Sequence, residues 1–192
     1  LRNADHLWGL PSLALKELVQ VLTGNQLLTF TLLMAATMVQ TGGCGVLEHP
    51  AEPDDDMAAS IWKVPAVLAL FQAPGVGRHR LAQGLFGAPS AKATDLMTIN
   101  LPDIVHDLRQ WMIRRELPRG SSIGLTAEGQ WRTGILKEYP PAMCGALASS
   151  FRRAIDLIPT TAGVEPTAAD VTLWESLTVT QYSTHFGADY AR

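Results

Sequence analysis

Between residues 19 and 47 the chain carries no charged side chain, and this stretch limits the fold more than any other. Apolar side chains gain by leaving water, so an uncharged segment of this length has to be covered by something. Its most apolar part, residues 27–39, is about as long as a buried core helix and is interrupted by Thr29, Thr31 and Thr37. A membrane span needs roughly 20 apolar residues. The expectation is therefore a helix buried on nearly all sides, with no membrane partner.

Spacing and punctuation supply the other elements. Ser12 is placed to cap a short helix that brings Leu15, Leu18, Val19 and Leu22 to one side, and Gly24-Asn25 reads as its end. A second helix covers residues 25–40 and stops at Thr41-Gly42-Gly43. Cys44-Gly45-Val46-Leu47 reads as a buried strand with Glu48 and His49 at its carboxyl end, where open α/β sheets commonly place their ligand sites. An acidic loop (51–56), two helical turns (60–72) and a break at Ala73-Pro74-Gly75 follow. Residues 78–86 and 94–100 read as strands on either side of a Gly87-Ala88-Pro89-Ser90 turn. Pro102 opens a helix with Ile104, Leu108, Trp111 and Met112 at helical spacing. A small hairpin is expected over 122–133. Pro140-Pro141 opens an amphipathic helix with Met143, Leu147, Phe151, Ala154 and Ile158 on its buried face. Residues 1–9 read as an extension, 10–158 as the ordered α/β segment, and 159–192 as a weakly ordered tail with a short helix over 168–177.

Composition narrows the function classes. With 15 Lys and Arg against 18 Asp and Glu, the chain is not a general nucleic-acid-coating protein, which binds mainly by neutralising phosphates. A local basic surface is still allowed, and Arg78, Arg80 and Lys92 fall in a run with no intervening acid. Cys44 and Cys144 are too few for a secreted disulfide scaffold and are not spaced as a metal knuckle. An intracellular site, nuclear or cytoplasmic, is expected. The first residue is Leu1 and no leader pattern opens the chain, which reads as a segment of a larger protein. His49 with Asp54, Asp55 or Asp56 could be a divalent-ion set, but a solvated acidic loop is the simpler reading, and no metal is expected. Cys44 reads as a small core residue, and Cys144 as a packing residue in the first turns of its helix. Arg114, Arg115 and Arg119 suit a helix carboxyl end, and Arg152 and Arg153 a solvated polar face.

Three segments in order resemble the second half of the cytosine C5 DNA methyltransferase family, particularly its short phage-like and protist relatives. They are Gly45-Val46-Leu47-Glu48-His49-Pro50, then Phe86-Gly87-Ala88-Pro89-Ser90-Ala91-Lys92-Ala93-Thr94, then Tyr139-Pro140-Pro141-Ala142-Met143. The resemblance spans most of the ordered segment. It implies an α/β fold with a partial Rossmann-like sheet of the S-adenosylmethionine methyltransferase type, flanked by helices and truncated on its amino-terminal side. It also implies that Glu48 contacts a flipped cytosine, with Arg78, Arg80 and Lys92 toward the nucleic-acid backbone. His49 stands where the family has asparagine, and no glycine-rich strand-to-helix turn or Pro-Cys loop precedes Glu48. The chain is therefore expected to be catalytically incomplete, a pseudoenzyme or fragment. It would use S-adenosylmethionine and DNA only if a missing amino-terminal half or partner chain completed it. The alternative is a non-catalytic binding or scaffold domain, or an inactive mobile-element remnant.

Overall fold

Gly24 does not stop the first helix. In the structure, a computed structural model that describes residues 1–119, Gly129 and residues 138–157, a single helix α1 runs Leu15–Thr41. A glycine inside a helix costs only about 1 kcal/mol, and here its bare Cα admits the Arg2 guanidinium, which comes within 3.0 Å of where a Cβ would stand. Arg2 also donates to the Asn25 side chain at 2.8 Å and to the Val21 carbonyl at 3.2 Å, and the Asn25 amide donates to the Trp8 carbonyl at 2.8 Å. Two residues that read as a break are thus held within the helix by the segment before it. The start also differs: Ala14, not Ser12, is the N-cap, and its N–H is taken by Glu17 at 3.0 Å. The end is as expected, with Gly42 in the left-handed conformation that closes many helices.

The expectation that this helix is buried on nearly all sides is overturned. Val21, Asn25, Leu32, Ala35 and Ala36 are buried, but Leu15, Val19, Leu27, Phe30 and Met34 are exposed. A sequence of apolar residues reports what a helix could bury, not what is there to bury it.

The chain divides into two compact units. The first comprises, in its described part, Leu1–Gly43 and Glu52–Val76. Besides α1 it holds a 3-10 turn at Ile61–Lys63 and α2 at Pro65–Leu70. Ser60 caps the turn by accepting from the Trp62 N–H at 3.2 Å, and Pro65 opens α2 where its missing N–H is no loss. Trp62, Val64, Ala66, Val67 and Leu70 are buried, and the Trp62 ring stacks on Phe71 at 6.1 Å.

The second unit comprises Cys44–Ala51 and the described part of Gly77–Pro159. It is a mixed α/β arrangement around a three-stranded antiparallel sheet with the order β1-β3-β2, made of β1 Gly45–Pro50, β2 Val76–Ala82 and β3 Ala93–Ile99. β1 pairs with β3 from Gly45 opposite Ile99 to Pro50 opposite Thr94. Glu48 and His49 consequently lie inside the strand, opposite Leu96 and Asp95. They are not beyond its carboxyl end, so the strand-end rule that singled them out does not apply. Residues 83–86, read as part of the second strand, form a 3-10 turn closed by Gly87 in the left-handed region.

Two helices complete this unit, α3 at Ile104–Trp111 and α4 at Pro141–Leu157. Their apolar faces join the sheet face bearing Val46, Leu81 and Leu96 in one core with Phe86, Leu101, Ile104, Leu108, Met143, Ala146 and Ala154. At Gly145 the bare Cα lets α4 lie against the Trp111 indole, and a Cβ there would force the ring to shift. Trp111 and Met112, which repeat with Ile104 and Leu108 at helical spacing, keep substantial exposure while the other two are buried. The anticipated hairpin at 122–133, the tail from 159 with its helix at 168–177, and Ile158 lie outside the described residues.

Candidate functional site

Strand alternation puts Glu48 and Thr94 on one face of the sheet and His49 and Asp95 on the other. On the first face a polar cluster surrounds Glu48. The Tyr139 hydroxyl, just before α4, donates to Glu48 Oε2 at 2.9 Å. The Gln83 amide donates to Oε1 at 3.2 Å and to the Thr94 hydroxyl at 3.1 Å, and Thr94 reaches the same carboxylate oxygen at 3.4 Å. Lys92 Nζ lies 5.7 Å from the centre of the Tyr139 ring, within cation–π range. Lys92 has φ of 37°, in the left-handed region, and its carbonyl accepts from the Gln83 N–H at 3.2 Å.

Electrostatics follow from this packing. The Tyr139 pKa is pushed up to about 12, first by desolvation, then by its hydrogen bond to Glu48 and the nearby negative charge of that carboxylate. The hydroxyl therefore stays protonated and stays a donor. Tyr139→Phe removes one half-exposed hydrogen bond and is expected to lower stability by about 1 kcal/mol. Urea melts of Tyr139→Phe, Glu48→Gln and the double variant would check this, with the double costing less than the sum of the singles.

On the opposite face Asp95 has no exposed surface. It accepts from Arg78 Nη2 at 2.5 Å and Nε at 3.2 Å, and from Arg80 Nε at 2.9 Å and Nη2 at 3.2 Å. Arg78 and Arg80, two apart on β2, point the same way and share one carboxylate. The three basic residues expected along a nucleic-acid backbone are thus divided: Arg78 and Arg80 meet on Asp95, while Lys92 joins Tyr139 and the Glu48 cluster.

Other polar side chains were missed or misassigned by sequence. Asp107 on α3 is buried, accepts from the Ser150 hydroxyl at 2.6 Å and pairs with Arg153. Arg153 also reaches Asp103 at 3.4 Å, so it is not simply a solvated residue. Arg114 donates to the Ala88 carbonyl at 2.9 Å and the Gly84 carbonyl at 3.4 Å, bracing the turn that follows β2. The signal for the Asp95 clamp was present in the Arg-His-Arg of β2, since two cations on one strand face call for an acid across from them. Nothing local marked Asp107.

His79, on the sheet face of Glu48, has its Nε2 at 3.1 Å from the Thr98 hydroxyl. Gly77 leaves the room, as a Cβ there would meet both groups. Desolvation lowers the His79 pKa, and does the same to His49 against smaller raising effects from the Pro50 carbonyl, Glu48 and Asp95. The folded state therefore favours neutral rings, whereas the unfolded chain takes up protons near pH 6.5. Stability is expected to be intact above that pH and to fall as pH drops below it toward the folded values. Thermal melts between about pH 8 and 5 would show the decline, and His79→Gln should flatten part of it.

Among the described residues no group of three or more His, Cys, Asp or Glu side chains gathers as a metal set. Cys44 packs partly buried against the core and Cys144 is exposed on α4. Comparison with known proteins finds no matching family model, no matching curated protein and no matching solved structure.

Proposed function

We propose that this chain is a non-catalytic interaction domain that works through exposed apolar surface. The observation that carries this reading is the condition of its best catalytic candidate. Both oxygens of Glu48 accept hydrogen bonds from neighbours of its own unit, Oε2 from Tyr139 and Oε1 from Gln83 and Thr94. A carboxylate held this way acts as a latch between β1, the turn after β2, and the start of α4. Arg78 and Arg80 are likewise committed to Asp95. Large apolar side chains, by contrast, stand out from α1.

A second reading is the methyltransferase-type half-domain, with a Rossmann-like sheet completed by an absent amino-terminal part. It is supported by the meeting of its three segments: Glu48 from the first, Lys92 and Thr94 from the second and Tyr139 from the third gather in one cluster. Among the described residues the Gly42-Gly43 pair does not fit S-adenosylmethionine. Gly42 and Gly43 lead from a helix into a strand, the reverse of the strand-to-helix turn that cradles such a cofactor. Calorimetric titration of the purified chain with S-adenosylmethionine, followed by a cytosine-containing duplex, separates the two. The interaction reading expects no saturable heat from either; saturable cofactor binding would overturn it.

A further inference from the structure

Three consecutive residues weaken the amino-terminal half of α1. The Thr23 hydroxyl donates back to the Val19 carbonyl at 2.9 Å, a bond that tends to bend a helix, and Gly24 and Asn25 rank low in helix propensity. The helix nevertheless runs through them. What crosses this point is the segment 1–10. Arg2 Nη2 donates to Asn25 Oδ1 at 2.8 Å and to the Val21 carbonyl at 3.2 Å, and the Asn25 amide returns a bond to the Trp8 carbonyl at 2.8 Å. Gly9, with φ of 134°, lies so close to the helix that a Cβ there would stand 2.7 Å from Val21 Cγ1.

The Leu10 N–H donates to the Leu1 carbonyl and the Ala4 N–H to the Met57 carbonyl, each at 3.0 Å, which closes this segment into a loop over α1. Its hold is shallow. Residues 1–10 are all exposed or half-buried, whereas Val21 and Asn25 beneath them are each 3% exposed. A surface segment fastened by a few hydrogen bonds opens at a small free energy, well below that of the fold it rests on. We propose that residues 1–10 are a releasable strap that sets the state of α1: fastened, it keeps one continuous helix, and released, it leaves two helices hinged at Gly24. Release uncovers Val21 and takes both side-chain partners from Asn25. It also parts the exposed Leu15 and Val19 from the exposed Leu27, Phe30 and Met34. What that does to partner binding rests on the interaction reading; the strap itself does not.

Hydrogen exchange of the full chain, read amide by amide, tests the strap. The amides of residues 25–28 bond to the carbonyls of residues 21–24 across the weak point. Arg2→Ala is expected to speed their exchange roughly tenfold, the effect of losing a hydrogen bond from a charged donor, and to leave residues 32–41 unchanged. Gly9→Ala, which lifts the strap without touching Arg2, should do the same. Gly24→Ala added to Arg2→Ala should restore the protection, because alanine sustains the helix unaided and the guanidinium its Cβ would meet is gone. Unchanged exchange in Arg2→Ala, a loss shared equally by residues 32–41, or no restoration by Gly24→Ala would overturn the proposal. Exchange is read without ligand, so its outcome is separate from the S-adenosylmethionine titration that decides the interaction reading.

Discussion

Replacing Arg78 and Arg80 together by methionine is expected to lower stability by about 3–5 kcal/mol, because it leaves the Asp95 carboxylate buried without a cation. Asp95 has no exposed surface, while the Arg78 and Arg80 side chains are 29% and 54% exposed. The asymmetry matters. Either arginine freed of its acid can turn part of its length to water, but the acid freed of its arginines cannot. Arg80→Met alone should therefore cost clearly less than the pair, and Asp95→Asn added to the double variant should restore part of the loss. Urea unfolding followed by circular dichroism would measure all four proteins. A double variant within 1 kcal/mol of the parent would show that the clamp contributes little.

Trp62→Ala is expected to be of similar size, about 3–5 kcal/mol, for a different reason. Trp62 is 1% exposed, stacks on Phe71, and belongs to the same buried set as Val64, Val67 and Leu70. Deleting the indole removes the largest buried side chain of the first unit and leaves a void that a short helix cannot collapse to fill. Trp62→Phe retains much of the ring contact and should cost less than half as much. Equilibrium unfolding of both variants decides it; equal losses would point to the backbone cap at Ser60 instead of the ring.

Elements with strong local signals were legible from sequence. Pro102 and Pro140-Pro141 announced α3 and α4, and the uncharged Gly45-Val46-Leu47 run announced β1. Residues 94–100 came within one residue of β3 at each end. What escaped depended on partners distant in sequence. Nothing near Gly24 and Asn25 indicates that Arg2, more than twenty residues earlier, will keep the helix continuous. The apolar content of α1 was visible, but its exposure was not, because exposure is set by how much chain packs around it.

The candidate site divides along the same line. Glu48 stood out by position and does sit at the centre of a polar cluster, yet sequence placed it at an open strand end. Antiparallel pairing with β3 puts it inside the sheet, beside Thr94 and within reach of Tyr139. In the sequence Tyr139 stands only as the start of a motif. Asp95 carries no local signal of its own, although the two arginines on one strand face point to an acid opposite them.

Whether Glu48 is held by its neighbours and not offered to a ligand is tested most directly by the titration of Tyr139. Carbon-13-labelled tyrosine, with the Tyr139 signal assigned through Tyr139→Phe, would follow its ionisation against that of ordinary tyrosines near pH 10. Tyr139 is expected to stay protonated past that point, with its pKa raised to about 12, and Glu48→Gln should move it part of the way back, leaving the share due to desolvation. A Tyr139 that titrates near 10 in the parent and ignores Glu48→Gln would mean that the latch does not exist and that Glu48 is free for chemistry.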